Sequence, residues 1–166
     1  MKQIKILFAI VIFAISSTTF AQSKVAHVNT NQIVAQMPAT IAANTEMKLL
    51  EETYQKEIDG MRQEILNKEQ QYSSEQDTVS KELNQSRGVE LQEQMQRWQA
   101  YVNEIQQELQ RKRMEIFEPI GEDYSKAVNA VAERLGFDYV FENNTQVLLV
   151  ANGTDISEEV KKELGL

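Results

Sequence analysis

Between Leu91 and Leu109 the apolar positions are Leu91, Met95, Trp98, Val102, Ile105 and Leu109, spaced 4, 3, 4, 3 and 4 residues apart. Almost everything between them is polar. Such a pattern draws a narrow seam on a helix, too thin to be one wall of a globular core. A second seam runs upstream through Tyr54, Ile58, Met61, Ile65, Tyr72 and Val79, at spacings of 4, 3, 4, 7 and 7. Its gaps fall on Lys68 and Glu75, which stand where apolar residues continue the repeat. Residues 39–118 are dominated by Glu, Gln, Lys, Leu and Met, good helix formers, with no proline and only Gly60 and Gly88. The run "NQSRG" at 84–88 interrupts them. The two seams predict an antiparallel coiled-coil hairpin over 39–118, with its tip near 84–88. At 1.5 Å per residue each limb of about 40 residues reaches roughly 60 Å. The rival is one continuous helix forming an intermolecular rod. The broken periodicity at the midpoint favours the hairpin.

The flanks read differently. Residues 24–28 alternate as a short strand, Asn29-Thr30-Asn31 supplies helix-capping chemistry, and Ile33, Val34 and Met37 give the following segment an apolar face. Pro38 suits the first turn of the next helix. Beyond the arm, Pro119 removes one helical hydrogen bond and is expected to bend the returning limb. Ile120, Tyr124, Ala127, Val128, Val131 and Leu135 then form a wider apolar face, and Gly136 ends that helix. "FDYVFEN" and "QVLLVAN" read as two strands separated by the turn Asn143-Asn144-Thr145. "DISEEVKKELG" reads as a closing helix, with Asp155 as N-cap, Glu158 as its capping-box partner and Gly165 at its end.

The fold class is therefore α+β, mainly α. A small body from residues 22–38 and 119–166 carries the long arm in its middle. About 65 residues and three short strands are too little for a robust isolated core, and association between copies is the economical remedy. The strand residues Val25, Val28, Tyr139, Phe141, Val147 and Leu149 are the candidates for completing it, since open strand edges are otherwise an aggregation hazard.

The first 21 residues stand outside this scheme. Lys2 and Lys5 precede the apolar run 6–15, and small residues at Thr19 and Ala21 suit cleavage before Gln22. This reads as a secretory signal peptide, which leaves an exported, soluble chain of about 145 of the 166 residues. There is no cysteine, so disulfides, lipid attachment through an N-terminal cysteine and thiolate chemistry are all excluded. The single histidine, His27, is one side chain of a strand, with a plain structural or surface role expected. Without the two leader lysines, 15 basic residues face 25 acidic ones, a net charge of −10. That balance argues against nucleic acid and against anionic membranes as partners. No His/Cys cluster, phosphate-binding glycine loop or nucleophile elbow is present, so neither an enzyme, a metal nor a cofactor is expected.

The leader, "KVAHVNTNQIVAQMP" directly after it, the Gln/Glu-rich hairpin and the closing "PIGEDYSKAVNAVAERLGFDYVFENNTQVLLVANGTDISEEVKKELG" together resemble the Skp/OmpH family of periplasmic chaperones for outer-membrane proteins. The resemblance implies a jellyfish-like homotrimer whose bodies join at one end while three arms enclose an unfolded client. It also implies an ATP-independent holdase in the periplasm, with unfolded outer-membrane β-barrel proteins and its own copies as partners. One departure stands out. Well-known members carry basic arms, whereas residues 38–118 here hold 16 acidic and 10 basic residues. The one basic cluster, Arg111-Lys112-Arg113, reads as a solvated face partnered by Glu108 and Glu115, so no lipopolysaccharide site is carried over.

A client that leaves without ATP must be held by many weak contacts. With a turn centred near Ser86, Met95, Trp98 and Tyr101 come opposite Ser73, Ser74, Glu75 and Asp77, which cannot bury an indole. Tyr72, Met95, Trp98 and Tyr101 are thus the candidate client-contacting residues, with Trp98 as a plain core residue of the seam the alternative, while Ile58, Met61, Ile65, Ile105 and Leu109 hold the hairpin shut. The competing reading is a coiled-coil spacer or adaptor of the cell envelope.

Overall fold

The computed structural model describes residues 23–144 and 150–166. Residues 1–22, read above as a signal peptide and the cleavage point, and residues 145–149, with Val147 and Leu149 of the expected strand, lie outside the described residues. In chain order the elements are strand β1 (Val25–Val28), helix α1 (Thr30–Gln36), helix α2 (Pro38–Glu75), helix α3 (Lys81–Leu135), strand β2 (Tyr139–Glu142), strand β3 (Thr154–Asp155) and helix α4 (Ser157–Glu163). The protein is mainly helical, with a long two-helix arm on a small strand-containing body.

The local chemistry behind these boundaries is visible. Asn29 caps α1 by accepting from the Gln32 N–H at 3.0 Å, and Pro38 stands at the start of α2, where its missing N–H costs nothing. Helix α3 runs unbroken through Pro119 into the body. It stops at Gly136, whose left-handed φ of 70° lets its N–H return to the Ala132 and Glu133 carbonyls.

The turn of the arm lies at residues 76–80, not at 84–88. Ser80 caps α3, accepting from the Leu83 N–H at 3.2 Å, and Thr78 closes the end of α2 by donating to the Glu75 carbonyl from both its N–H and its hydroxyl. Asn84, expected in the loop, sits in the first turn of α3 and donates its amide to the Gln76 carbonyl at 2.8 Å. Gly88 is ordinary helix, with open space where a Cβ would stand. Capping chemistry at Ser80 outweighed the glycine as a stop signal. The turn thus lies about eight residues earlier than expected, so each residue of α3 faces a position about sixteen residues nearer the start of α2: Trp98 meets Ile58 where Ser74 was expected.

The sheet has the order β2-β1-β3, and both pairings are parallel. Val25 stands opposite Tyr139 and His27 opposite Phe141 on one side; on the other, His27 stands opposite Asp155. The third described strand is therefore Thr154–Asp155, where a helix cap was expected. Helix α4 begins one step later, after Ile156. Asp155 still accepts from the Ser157 N–H at 2.9 Å, but Glu158 bonds Lys161 instead of reaching back to close a capping box.

Side chains alternate across the sheet. Ala26 and Val28 point into a core with Ile33, Val131, Ile156 and Val160, covered by the end of α3 and by α4. A second cluster of Met37, Ala43 and Ile120 seats the base of the arm on the body. Val25, Tyr139 and Phe141 lie on the opposite face and are exposed. Val28, expected among the association residues, is enclosed in the chain's own core.

Candidate functional site

Two helices of 38 and 55 residues pack against each other to make the arm. Its base is dry: Met47 and Ile105 are buried. Between residues 48 and 104 no side chain is fully buried. The arm is therefore a two-helix ribbon in which even the seam is half in water.

Trp98 shows the register. Its indole N–H donates to the Ile58 carbonyl at 3.2 Å, forty residues away in sequence. The indole thus packs over an apolar stretch of α2, and not over Ser73–Asp77 as the expected turn required. Tyr101 likewise reaches across and donates to the Glu57 carboxylate, which pushes its hydroxyl up to about 12. Ile58, Met61, Ile65 and Leu109 are half-buried along the same seam, and Ile105 is buried.

Further out the seam turns polar. Tyr72 donates to Glu90 at 2.8 Å, Lys68 meets the other oxygen of Glu90 at 2.5 Å, and Arg87 pairs with Glu75 while its guanidinium lies 4.5 Å above the Tyr72 ring. Hydrogen bonds from Lys68 and Tyr72 hold the Glu90 carboxyl below its ordinary range; those from Gln71 and Arg87 do the same for Glu75. Bonding to Glu90 raises both Lys68 and Tyr72. We call this group the distal clasp. Lys68 and Glu75 interrupt the apolar repeat of α2 where they meet Glu90 and Arg87 of α3 across the hairpin. That reciprocity was the available signal, and it needed the correct turn to be read.

Of the four expected contact residues, Tyr72, Trp98 and Tyr101 are engaged across the hairpin, and Met95 alone is free and more than half exposed. The basic cluster is neutralised: Arg111 pairs with Glu108, Lys112 with Glu115 at 2.9 Å, and Arg113 with Glu51 of α2 at 3.0 Å. In the body, His27 is buried with both ring nitrogens unpartnered, its Nδ1 4.0 Å from Asp155. Among the described residues no group of His, Cys, Asp and Glu could hold a metal ion, and no helix is long and apolar enough to cross a membrane.

A small parallel sheet carrying one long, sparsely buried antiparallel arm defines a class of helical-hairpin arm proteins. The chain belongs to the OmpH-like family, described as "Outer membrane protein (OmpH-like)", which it matches over residues 24–164. Among curated proteins there is no significant match. Among solved structures, the chain is similar to a candidate outer membrane chaperone (OmpH-like) from Caulobacter crescentus CB15. The two are 16% identical with a TM-score of 0.74, over 87% of this chain and 85% of the other. At that identity the likeness establishes the fold.

Proposed function

We propose that this protein is an ATP-independent periplasmic holdase without enzymatic activity. Three copies join through their bodies, and their arms enclose unfolded outer-membrane β-barrel proteins until these are delivered. One observation carries the reading: an arm of some 80 residues with no fully buried side chain between residues 48 and 104, on a body with little core of its own. Such an arm makes a poor enzyme scaffold and a poor rigid strut. It makes a good compliant wall. Membership of the OmpH-like family and the likeness to a candidate outer membrane chaperone support the same role.

The body supports association. Val25, Tyr139 and Phe141 leave an apolar sheet face uncovered, and large exposed apolar faces mark interaction surfaces. Client contact falls first to Met95. Tyr72, Trp98 and Tyr101 contribute through the ring edges they leave in water between the helices.

The test has two measurements on the leader-free protein. Light scattering gives its mass, with three copies expected. Turbidity of an outer-membrane β-barrel protein diluted from urea gives its activity, with aggregation suppressed at about one trimer per client. A lone monomer, or a trimer that leaves aggregation untouched, removes the holdase reading; co-purification with one fixed envelope partner at constant stoichiometry favours the spacer.

A further inference from the structure

We infer that one face of α3 is a docking strip for extended polypeptide backbone, built from side-chain carboxamides. The inference deepens the holdase reading and rests on it. At about 100° of rotation per residue, Gln92, Gln96, Gln99, Asn103, Gln106 and Gln110 fall within one sector about 90° wide. All six are exposed. The charged residues of the same stretch, Arg87, Glu90, Glu93, Arg97, Glu104 and Glu108, fall on the other side of the helix, in a sector about 120° wide. One side of this helix is ionic and the other carries amides.

A quarter of the whole chain is charged, and the solvated flank of a coiled coil ordinarily carries charges. Six strip positions in succession carry none. Among the described residues, the only hydrogen bond these six side chains make within the protein is a long one, 3.5 Å from Gln99 to Asn103. Their donors and acceptors are otherwise presented to the outside. Met95 and Met114 lie beside the strip, both exposed, and its basal end forms an open trough of about 700 Å³ lined by Asn103, Gln106, Gln107, Gln110, Arg111 and Met114.

The chemistry selects the occupant. A carboxamide offers two donors and one acceptor oxygen without charge, the same groups that a peptide unit offers. A second copy of the arm has little to give such a strip, because helical N–H and C=O groups are already paired. An unfolded chain carries one unpaired donor and one unpaired acceptor on nearly every residue. From Gln92 to Gln110 the strip is about 27 Å long, enough for roughly eight residues of extended backbone at 3.3 Å each. Recognition of this kind ignores client sequence and client charge, so the net negative charge of the arm is no obstacle to it. Flexible glutamines adapt to irregular chains, and each bond is weak enough to be exchanged without ATP.

The test compares the parent with Gln99→Ala/Gln106→Ala/Gln110→Ala and with a control on the ionic side, Glu93→Ala/Arg97→Ala/Glu104→Ala. Alanine is the better helix former, so the arm stays folded, and circular dichroism verifies it. Binding of a fluorescently labelled, urea-diluted outer-membrane β-barrel protein is followed by anisotropy at two salt concentrations, with the mass of each variant measured alongside. The strip variant is expected to bind about tenfold more weakly or worse at both salts, with its mass unchanged. The control stays within about twofold of the parent. Parental affinity in the strip variant overturns the inference, as does a loss confined to low salt. A fall in mass reassigns the strip to contact between copies. A parent that captures no client removes the holdase reading first, and that outcome is distinct from all of these.

Discussion

The indole N–H of Trp98 hydrogen-bonds the backbone carbonyl of Ile58 across the arm, at 3.2 Å. A helical carbonyl that also serves a side chain on the facing helix ties the two limbs at a fixed register. Trp98→Phe keeps most of the ring packing and loses that bond. It should cost about 1 kcal/mol, readable as an arm that unfolds at lower denaturant concentration. Trp98 is the only tryptophan, so the parent's emission reports arm opening directly. An unchanged denaturation midpoint in the phenylalanine variant would mean that the bond is not made in solution.

The distal clasp should respond to both pH and salt. Glu75 and Glu90 are held below their ordinary range, so their contribution is complete above about pH 4.3 and is lost as the pH falls through their folded values. Lys68 and Tyr72 are raised, so theirs is complete below about pH 10 and is lost as the pH climbs through their folded values. The clasp is thus closed through the neutral range and opens at both extremes. Salt screens these partly exposed charges, since the Debye length falls from about 10 Å at 0.1 M to about 3 Å at 1 M. Relative to the intrinsic rate at each pH, amide exchange of residues 68–90 should quicken below pH 4 and in 1 M salt, while exchange around Ile105 stays slow. Arg87→Gln should show the quick exchange already at neutral pH and low salt. Uniform exchange along the arm under all conditions would show that the clasp has no separate existence.

Two glycines test where the turn lies. Gly88 occupies an exposed, regular stretch of α3 with nothing within 4 Å of an added Cβ. Gly88→Ala should therefore stabilise the protein by about 0.5–1 kcal/mol. Gly136 sits at φ 70°, so Gly136→Ala should cost about 1–2 kcal/mol. Were Gly88 the hinge of the arm, its alanine variant would lose stability instead, and thermal melts of the two variants separate these outcomes.

The same positions show what the sequence carried. The existence of two limbs followed from seam periodicity, which partial burial of the facing positions enforces as far out as Ile65 and Leu91. The cap at Asn29, Pro38 at a helix start and Gly136 at a helix end followed from backbone chemistry local to each residue. The turn did not, because Gly88 and Asn84 resemble loop residues until Ser80 is seen to cap α3 eight residues earlier. That single displacement carried the site with it: Trp98 moved from facing serines to facing Ile58, and the clasp stayed hidden. The strand Thr154–Asp155 was also beyond reach, since a two-residue parallel pairing to β1 has no periodicity of its own.

Tyr101 supplies the last test. Its hydroxyl donates to the Glu57 carboxylate, and ionising it would set two negative charges against each other, which is why it is raised to about 12 from an ordinary value near 10. A raised tyrosine stabilises the fold below about pH 10, and that stabilisation disappears as the pH rises through 12. The phenolate absorbance of the parent minus that of Tyr101→Phe isolates this one titration from those of the other tyrosines. It should centre near 12 in the parent and move back toward 10 in Glu57→Gln, where no full charge opposes ionisation. Should the difference titration sit near 10 in both, Tyr101 is released from Glu57 in solution, and its ring is then free to turn outward beside Met95.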